Sequence, residues 1–337
     1  MSLKIRKLLS VVFFAVLLVA VGAGYQAQAS PLVQLKLSLA PAATGFNGQC
    51  MSFFAEEVKR ITNGEVEVQV FAGGSLVSDG DFLDAVMAGA VDMGHFSVGY
   101  ITPVMKEFSP FELFGVYSPN HFPRFAEEVK PLAENVFAKY GVKFLTTYNN
   151  DRNVIVATEK VGKPIAVPTD MHGMVVRTSG AWGARFVQAW GGGPIVMGLG
   201  DVAAALQRGT IDAVITGWVI VGPFKLYESA PYVTITPFNE NFIGLVMNLD
   251  KFNSLTPFQQ AGIEEAALNM RNFSDELQKK MFDEFIQQVE AFGGTVHYMT
   301  NEEKLLFDVH RDRLMEEIKD VCGPEGLNFI EFFKDFQ

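Results

Sequence analysis

The chain has 337 residues, 38 acidic against 27 basic side chains, and a formal net charge of −11. So acidic a chain argues against nucleic acid or an anionic membrane as partner, and an anionic ligand would need arginines placed locally against the global field. Lys4, Arg6 and Lys7 form a positive start, Leu8 to Gly24 runs without a charge, and Ala27-Gln28-Ala29 supplies small residues where a signal peptidase reads. The uncharged run is short for a membrane span, so residues 1–29 are expected to be a signal peptide cut after Ala29, with an uncleaved anchor as the alternative. Cleavage removes three basic residues and no acidic one, taking the balance to −14. No later stretch is long and apolar enough to span a bilayer, and the roughly 308 remaining residues suggest two domains. Two cysteines, Cys50 and Cys322, make no disulfide framework and are expected to be free thiols, and five scattered histidines give weak support for a metal site.

Val33, Leu35, Leu37 and Leu39 alternate with mostly polar residues and predict a strand. Asn47 can cap a helix through Met51, Phe54, Val58 and Ile61 that stops at Asn63-Gly64. Val66 to Phe71 reads as a second strand, and Gly73-Gly74 turns the chain. Ser78 and Asp81 have the spacing of a capping box for a helix through Phe82, Leu83, Val86 and Met87, after which Val91-Asp92-Met93 opens a strand. The theme recurs with a strand at Met174 to Arg177, a helix from about Trp182 to Trp190, a short strand at Pro194 to Val196, a helix over Val202 to Arg208, and a strand from Ala213. Strand-helix alternation predicts mostly parallel sheets with covered faces. Phe82 to Asp92 also resembles Val202 to Asp212: an amphipathic helix, a terminal Gly, a β-branched residue and an Asp before a strand. Two similarly wound lobes would produce this, and so would any pair of helix-to-strand turns. From Thr256 the pattern is helical for about 30 residues, roughly 45 Å, which is long enough to brace two lobes. Gly293-Gly294 breaks it, Thr295 to Tyr298 reads as a last strand, and Thr300 with Glu303 caps a helix running to about Val321.

The run Glu56-Glu57-Val58, Ile61 to Val68 and Phe71 to Leu76 resembles the N-terminal motif of DctP-type solute receptors of tripartite ATP-independent periplasmic (TRAP) transporters. The resemblance continues in Ala88 to Met93, in Asp170 to Arg177 (the pattern D-L-x-G-x-x-x-R), in Ala205 to Asp212 (A-L-Q-x-G-x-[VI]-D) and in Leu245 to Asn248. It implies an α/β fold of two lobes with a hinge, crossed by a long helix and closing on an organic acid that is passed to integral membrane permease subunits. The expected division is residues 30–150 plus about 240–280 for lobe I, and 151–239 plus about 281–337 for lobe II. A monomeric periplasmic receptor without cofactor, rather than an enzyme, is the function implied.

By the same resemblance Arg177 matches the arginine that clamps the ligand carboxylate. Independently, a guanidinium at the end of an apolar strand offers a two-pronged match to a carboxylate, with a surface or interlobe salt bridge as the ordinary alternative. Arg152 resembles a second basic position, although its neighbour Asp151 can neutralise it. Thr216 falls where the family often has Asn, and Leu199 where an aromatic is frequent. Ile215 stands where one cation-using subgroup has a Glu, so no metal is carried over. Trp218, Phe46, Tyr100 and Phe242 are aromatics near expected cleft loops, with core packing the commoner role for each; Ser97 completes the candidate set. The Leu199 and Ile215 departures suggest a carboxylate with an apolar or aromatic body. A periplasmic enzyme is the first alternative, but no GxSxG elbow, P-loop, HExxH or strand-following GxGxxG is present. A sensor subunit binding the same solute is the second.

Overall fold

A computed structural model describes residues 32–117, 122–148, 152–238 and 242–336. The expected signal peptide and its cleavage site lie outside the described residues. The first sheet collects β1 (Val33–Ser38), β2 (Val66–Phe71), β3 (Met93–Ser97), β4 (Val142–Thr147) and β10 (Ile243–Asn248), in the order β2-β1-β3-β10-β4. The second collects β5 (Asn153–Ala157), β6 (Val175–Thr178), β7 (Gly193–Val196), β8 (Ala213–Gly217), β9 (Tyr232–Ile235) and β11 (Thr295–Tyr298), in the order β11-β9-β5-β8-β6-β7. The fold is thus α/β with two sheets, each the centre of one lobe.

The sheets keep the mostly parallel arrangement expected from strand-helix alternation, with one reversed strand in each. β1 and β3 are parallel, as are β6 with both β7 and β8, but β10 runs antiparallel to β3 and β4, and β5 antiparallel to β8 and β9. The reversal follows from the path. The chain leaves the first sheet after β4 and returns to it as β10, after building five strands of the second. A strand that arrives from the other sheet enters from the opposite end, and central mixed strands of this kind are well tolerated when both faces are covered. The six residues of β10 are all buried, which is why this stretch shows no alternation in sequence.

Two units of equal order make up the parallel parts. The first is β1, α1 (Phe46–Ile61), β2, α2 (Phe82–Met87), β3 and α3 (Val98–Ile101). The second is β6, α5 (Ala181–Ala189), β7, α6 (Leu199–Gln207), β8 and α7 (Trp218–Val221), with α4 (Phe122–Lys139) preceding β4 between them. The similar stretches occupy equivalent places. Gly89 and Gly209 both follow their helix with positive φ, 69° and 66°, which a side chain tolerates poorly. Asp92 accepts the Lys36 N–H at 2.7 Å, and Asp212 accepts the Val175 N–H at 2.8 Å. Each aspartate therefore ties the start of its strand to the neighbouring parallel strand.

Two local expectations are corrected. Asn47 is not the cap of α1; Gly45 holds that position and Asn47 lies inside the first turn, turned toward Tyr148. Ser78 and Asp81 form no capping box, because the Ser78 hydroxyl donates to the Asp81 carboxylate at 2.6 Å rather than accepting a helix N–H.

After α8 (Leu249–Asn253), helix α9 (Pro257–Ala291) begins in a capping box between Thr256 and Gln259 and continues for 35 residues, about 52 Å. Its first part packs on α1, where Phe273 stacks on Phe53 at 4.3 Å. Its last part packs on α7, where Phe282 and Phe285 meet Trp218 at 5.2 and 5.9 Å. One rigid element thereby contacts both units. The helix expected from Thr300 to Val321 is two, α10 (Asn301–Asp308) and α11 (Arg311–Lys319), divided next to Arg311, whose guanidinium is held by the Gly115 carbonyl and Asp308. The last helix, α12 (Gly323–Phe333), returns to the first unit: Phe329 and Phe333 insert beside Phe111, 4.8 and 4.9 Å away. Cys50 and Cys322 are buried free thiols.

Candidate functional site

The C-terminal ends of β3, β6 and β8 converge on a cleft between the two sheets. This is where a parallel sheet presents side chains to a ligand. From the first unit come Asn47, Asp79, His95, Ser97 and Tyr100, with Pro41 and Ile243 as apolar wall. From the second come Arg177, Ser179 and Thr216, with Leu199, Val219 and Ile220. Ser179 and Thr216 also line a neighbouring pocket whose wall includes Glu112, Asn153 and Thr178. Toward the outside, Asp79, Tyr100 and Leu199 border an open groove rimmed by Gly73, Gly74, Gly198 and Gly200.

Arg177 is 2% exposed. Its Nε and Nη2 donate to the Met197 carbonyl at 3.0 and 2.6 Å, and Nη2 donates to the Tyr100 hydroxyl at 2.8 Å. The guanidinium is thus oriented by its own lobe and by a residue of the opposite one, while Nη1 has no protein acceptor among the described residues. A buried cation with donors to spare can hold an anion, because an unpaired buried charge is costly and a carboxylate offsets that cost. The Tyr100 oxygen accepts from Arg177, so its own O–H remains a donor. Burial pushes the Tyr100 phenol up, partly offset by Arg177, so it stays protonated.

Asp79 reaches the cleft from the turn before α2. Burial raises its carboxyl to about 6, against the opposing pull of Arg177 and of the Leu199 N–H. His95 lies deeper, where burial depresses its imidazole to about 3 and keeps it neutral. Its Nδ1 is 2.8 Å from the Tyr148 hydroxyl, which also donates to Asn47 Oδ1 at 3.0 Å. This internal chain fixes the Asn47 side chain at the cleft wall.

Glu112 seals the seam between the units beside the cleft. Its carboxyl is bonded by the Thr102 hydroxyl and by the N–H groups of Trp182, at 3.2 Å, and Gly183 in the first turn of α5. Desolvation outweighs these bonds and raises it to about 7. Approach here is so close that a Cβ on Gly180 would lie 1.9 Å from Glu112 Oε2, and one on Gly99 would lie 2.9 Å from the Gly180 nitrogen.

Of the candidates read from the sequence, Arg177, Thr216, Ser97, Tyr100 and Leu199 come together in this cleft. The others do not line it. Phe46 is buried between Tyr148 and Trp218. The Trp218 ring turns away toward α9 and borders a separate pocket with Gln49 and Met281. Phe242 stacks on Phe111 at 4.2 Å within the first lobe's aromatic core. The Arg152 guanidinium lies 5.9 Å from the Phe282 ring centroid. Trp218 and Phe242 each stand next to a strand end, but the backbone turns their rings into the core. Asp79, Asn47, His95 and Glu112 were missed. Asp79 was masked by the Ser78–Asp81 spacing, which drew the local acids into a cap, and the others carry no motif. Among the described residues no cluster of His, Cys, Asp and Glu is placed to hold a metal ion.

Two mixed sheets, a long bridging helix and a cleft lined from both sheets define the two-lobed class of solute receptors. The sequence matches the family described as bacterial extracellular solute-binding protein, family 7 (DctP), over residues 39–319, and the chain belongs to that family. The family comprises substrate-binding receptors of TRAP transporters and not enzymes. Among its relatives is the C4-dicarboxylate-binding periplasmic protein DctP of Rhodobacter capsulatus, 25% identical over 313 residues, covering 90% of this chain and 92% of the relative. The ectoine-binding periplasmic protein TeaA of Halomonas elongata is 23% identical, with 86% of each chain covered. Among solved structures, a TRAP solute-binding protein of Roseobacter denitrificans with bound β-D-glucuronate gives a TM-score of 0.82 at 24% identity, covering 90% of this chain and all of the other. The periplasmic ectoine-binding protein of the Halomonas elongata TRAP transporter gives 0.83 at 20% identity, covering 90% and 98%. Identities this low carry the fold and leave the ligand to the site itself.

Proposed function

We propose that the chain is the exported receptor of a TRAP transporter that holds a small organic carboxylate on Arg177 and delivers it to membrane permease subunits. The observation that carries this reading is the buried Arg177 guanidinium, oriented from both lobes and with Nη1 directed to no protein acceptor among the described residues. The basic start, apolar run and Ala27-Gln28-Ala29 support export with cleavage after Ala29, and relatives named as periplasmic support the same compartment. The division we propose keeps residues 30–150 and about 240–280 in lobe I and 151–239 with about 281–322 in lobe II. It moves α12 to lobe I, because its phenylalanines pack there. The ligand bridges the lobes and shifts an open-closed equilibrium toward the closed form.

The body of the ligand meets the aliphatic groups Leu199, Val219, Ile220 and Ile243, and no aromatic platform from Trp218. Aliphatic contact, rather than ring stacking, is therefore the apolar part of recognition. Thermal shifts of the purified protein across organic acids, neutral sugars and amines test the reading. The expected result is stabilisation by carboxylates alone; stabilisation by uncharged or purely cationic solutes alone would overturn it.

A further inference from the structure

The cleft places an acid opposite its only cation. Arg177 is the sole Lys or Arg among the described residues lining it, and His95 is held neutral by burial. Asp79 comes from the other lobe and senses the Arg177 charge, yet no hydrogen bond joins the two among the described residues, since Arg177 donates to Met197 and Tyr100. A carboxylate gripped by Arg177 and the Tyr100 O–H would therefore have a second carboxylate, belonging to the protein, near its body. For a ligand with a donor-free body this is repulsive or desolvating. For a ligand that presents a hydroxyl or an ammonium it is a hydrogen-bond acceptor in a partly dry site, where charge-assisted bonds are strongest. A second carboxylate on the ligand would meet Asp79 and no further cation.

Resting on the carboxylate reading above, we infer that Asp79 is a specificity-determining residue that selects carboxylates carrying a hydroxyl or ammonium donor and rejects small dicarboxylates. The polar and apolar walls agree with this division. Asp79, Ser97 and Ser179 offer the polar groups of the lining, and Leu199, Val219 and Ile220 offer its apolar groups. A site built to bond a donor discriminates strongly against the analogue lacking it, because its own polar group is then left unpaired.

The test is calorimetry on the purified protein and on Asp79→Asn, with pairs of acids matched in skeleton: lactate with propionate, and glucuronate with cyclohexanecarboxylate, each beside succinate. Asp79 lies in a turn outside the helices and strands, and unchanged melting of the unliganded variant confirms intact folding. The donor-bearing member of a binding pair is expected to bind about 10-fold or more tighter, and Asp79→Asn to shrink that ratio about 10-fold while improving succinate. Preference for donor-free acids or succinate in the native protein, or a ratio unmoved by Asp79→Asn, overturns the inference and leaves the carboxylate reading standing. Failure of every carboxylate to bind, with binding of a solute that has none, overturns both.

Discussion

In the first unit β1, α1, β2, α2, β3 and α3 follow one another in the order taken by β6, α5, β7, α6, β8 and α7 in the second, and the same Asp-to-strand bond registers each. Matching the units at those aspartates puts Ser38 where the second unit has Arg177, Asp79 where it has Leu199, and Tyr100 where it has Ile220. The shared positions are those that the backbone demands: the glycine after the helix and the aspartate before the strand. Of the divergent positions, Arg177, Asp79, Leu199, Tyr100 and Ile220 line the cleft. The first lobe contributes the acid Asp79, and the second contributes the cation Arg177 and most of the aliphatic wall, so the cleft is lined by unlike surfaces on like frames.

The comparison breaks most sharply at the glycines before α1 and α5. Gly180→Ala drives a methyl into Glu112 and the Gly99 backbone, whereas Gly45→Ala meets the edge of Pro223 at 2.9 Å. Gly180→Ala is expected to cost roughly 3 kcal/mol or more and Gly45→Ala about 1 kcal/mol, read by denaturant titration. Equal costs would mean that the seam between the units is looser than its geometry indicates.

Glu112 gives the seam a pH dependence. Its folded value, raised from 4.5 to about 7, means that the folded state binds the proton more tightly than the unfolded chain. Its contribution is complete below about 4.5 and is lost as pH rises through about 7, a difference on the order of 3 kcal/mol. Asp79, raised to about 6, acts in the same sense, whereas His95, lowered to about 3, loses stability as pH falls from 6.5 toward 3. The difference between native protein and Glu112→Gln, followed from pH 5 to 8, isolates the Glu112 part (the range in which its raised value titrates). A parallel pair of curves would show that the carboxyl is already ionised across this range.

The matched aspartates differ in burial. The Asp212 side chain is 9% exposed and also pairs with Lys160, and the Asp92 side chain is 20% exposed. Asp212→Ala is expected to cost about 2–3 kcal/mol and Asp92→Ala about 1 kcal/mol. The Asp212 carboxyl is held below its ordinary value by Lys160 and the Val175 N–H despite burial, so its contribution is present at neutral pH and fades as pH falls through the folded value. The smallest effects should be equal. Gly89→Ala and Gly209→Ala strain only the backbone, with no close neighbour, and each should cost about 1 kcal/mol.

What the sequence shows and hides follows the same division. Helix α9 from about Thr256 and the Gly-[VI]-Asp turns are local, set by periodicity and positive φ, and are legible as written. Strand β10 is buried on both faces and returns from the other sheet, so neither its alternation nor its direction is available locally. Arg177 could be read because a strand end and a motif coincide there. Asp79 and Glu112 are defined by what the opposite lobe brings to them, and Trp218 and Phe242 by a backbone turn that hides their rings. A residue whose role depends on a partner some hundred positions away leaves no periodic trace.

The central claim is that the guanidinium of the second unit, oriented by a hydroxyl of the first, is the anion clamp of the receptor. Calorimetric titration of the native protein and Arg177→Gln, with the acid giving the largest thermal shift, tests it directly. The account predicts a loss of about 2–5 kcal/mol in binding, with the unliganded variant still folded. An affinity unchanged by Arg177→Gln would contradict it.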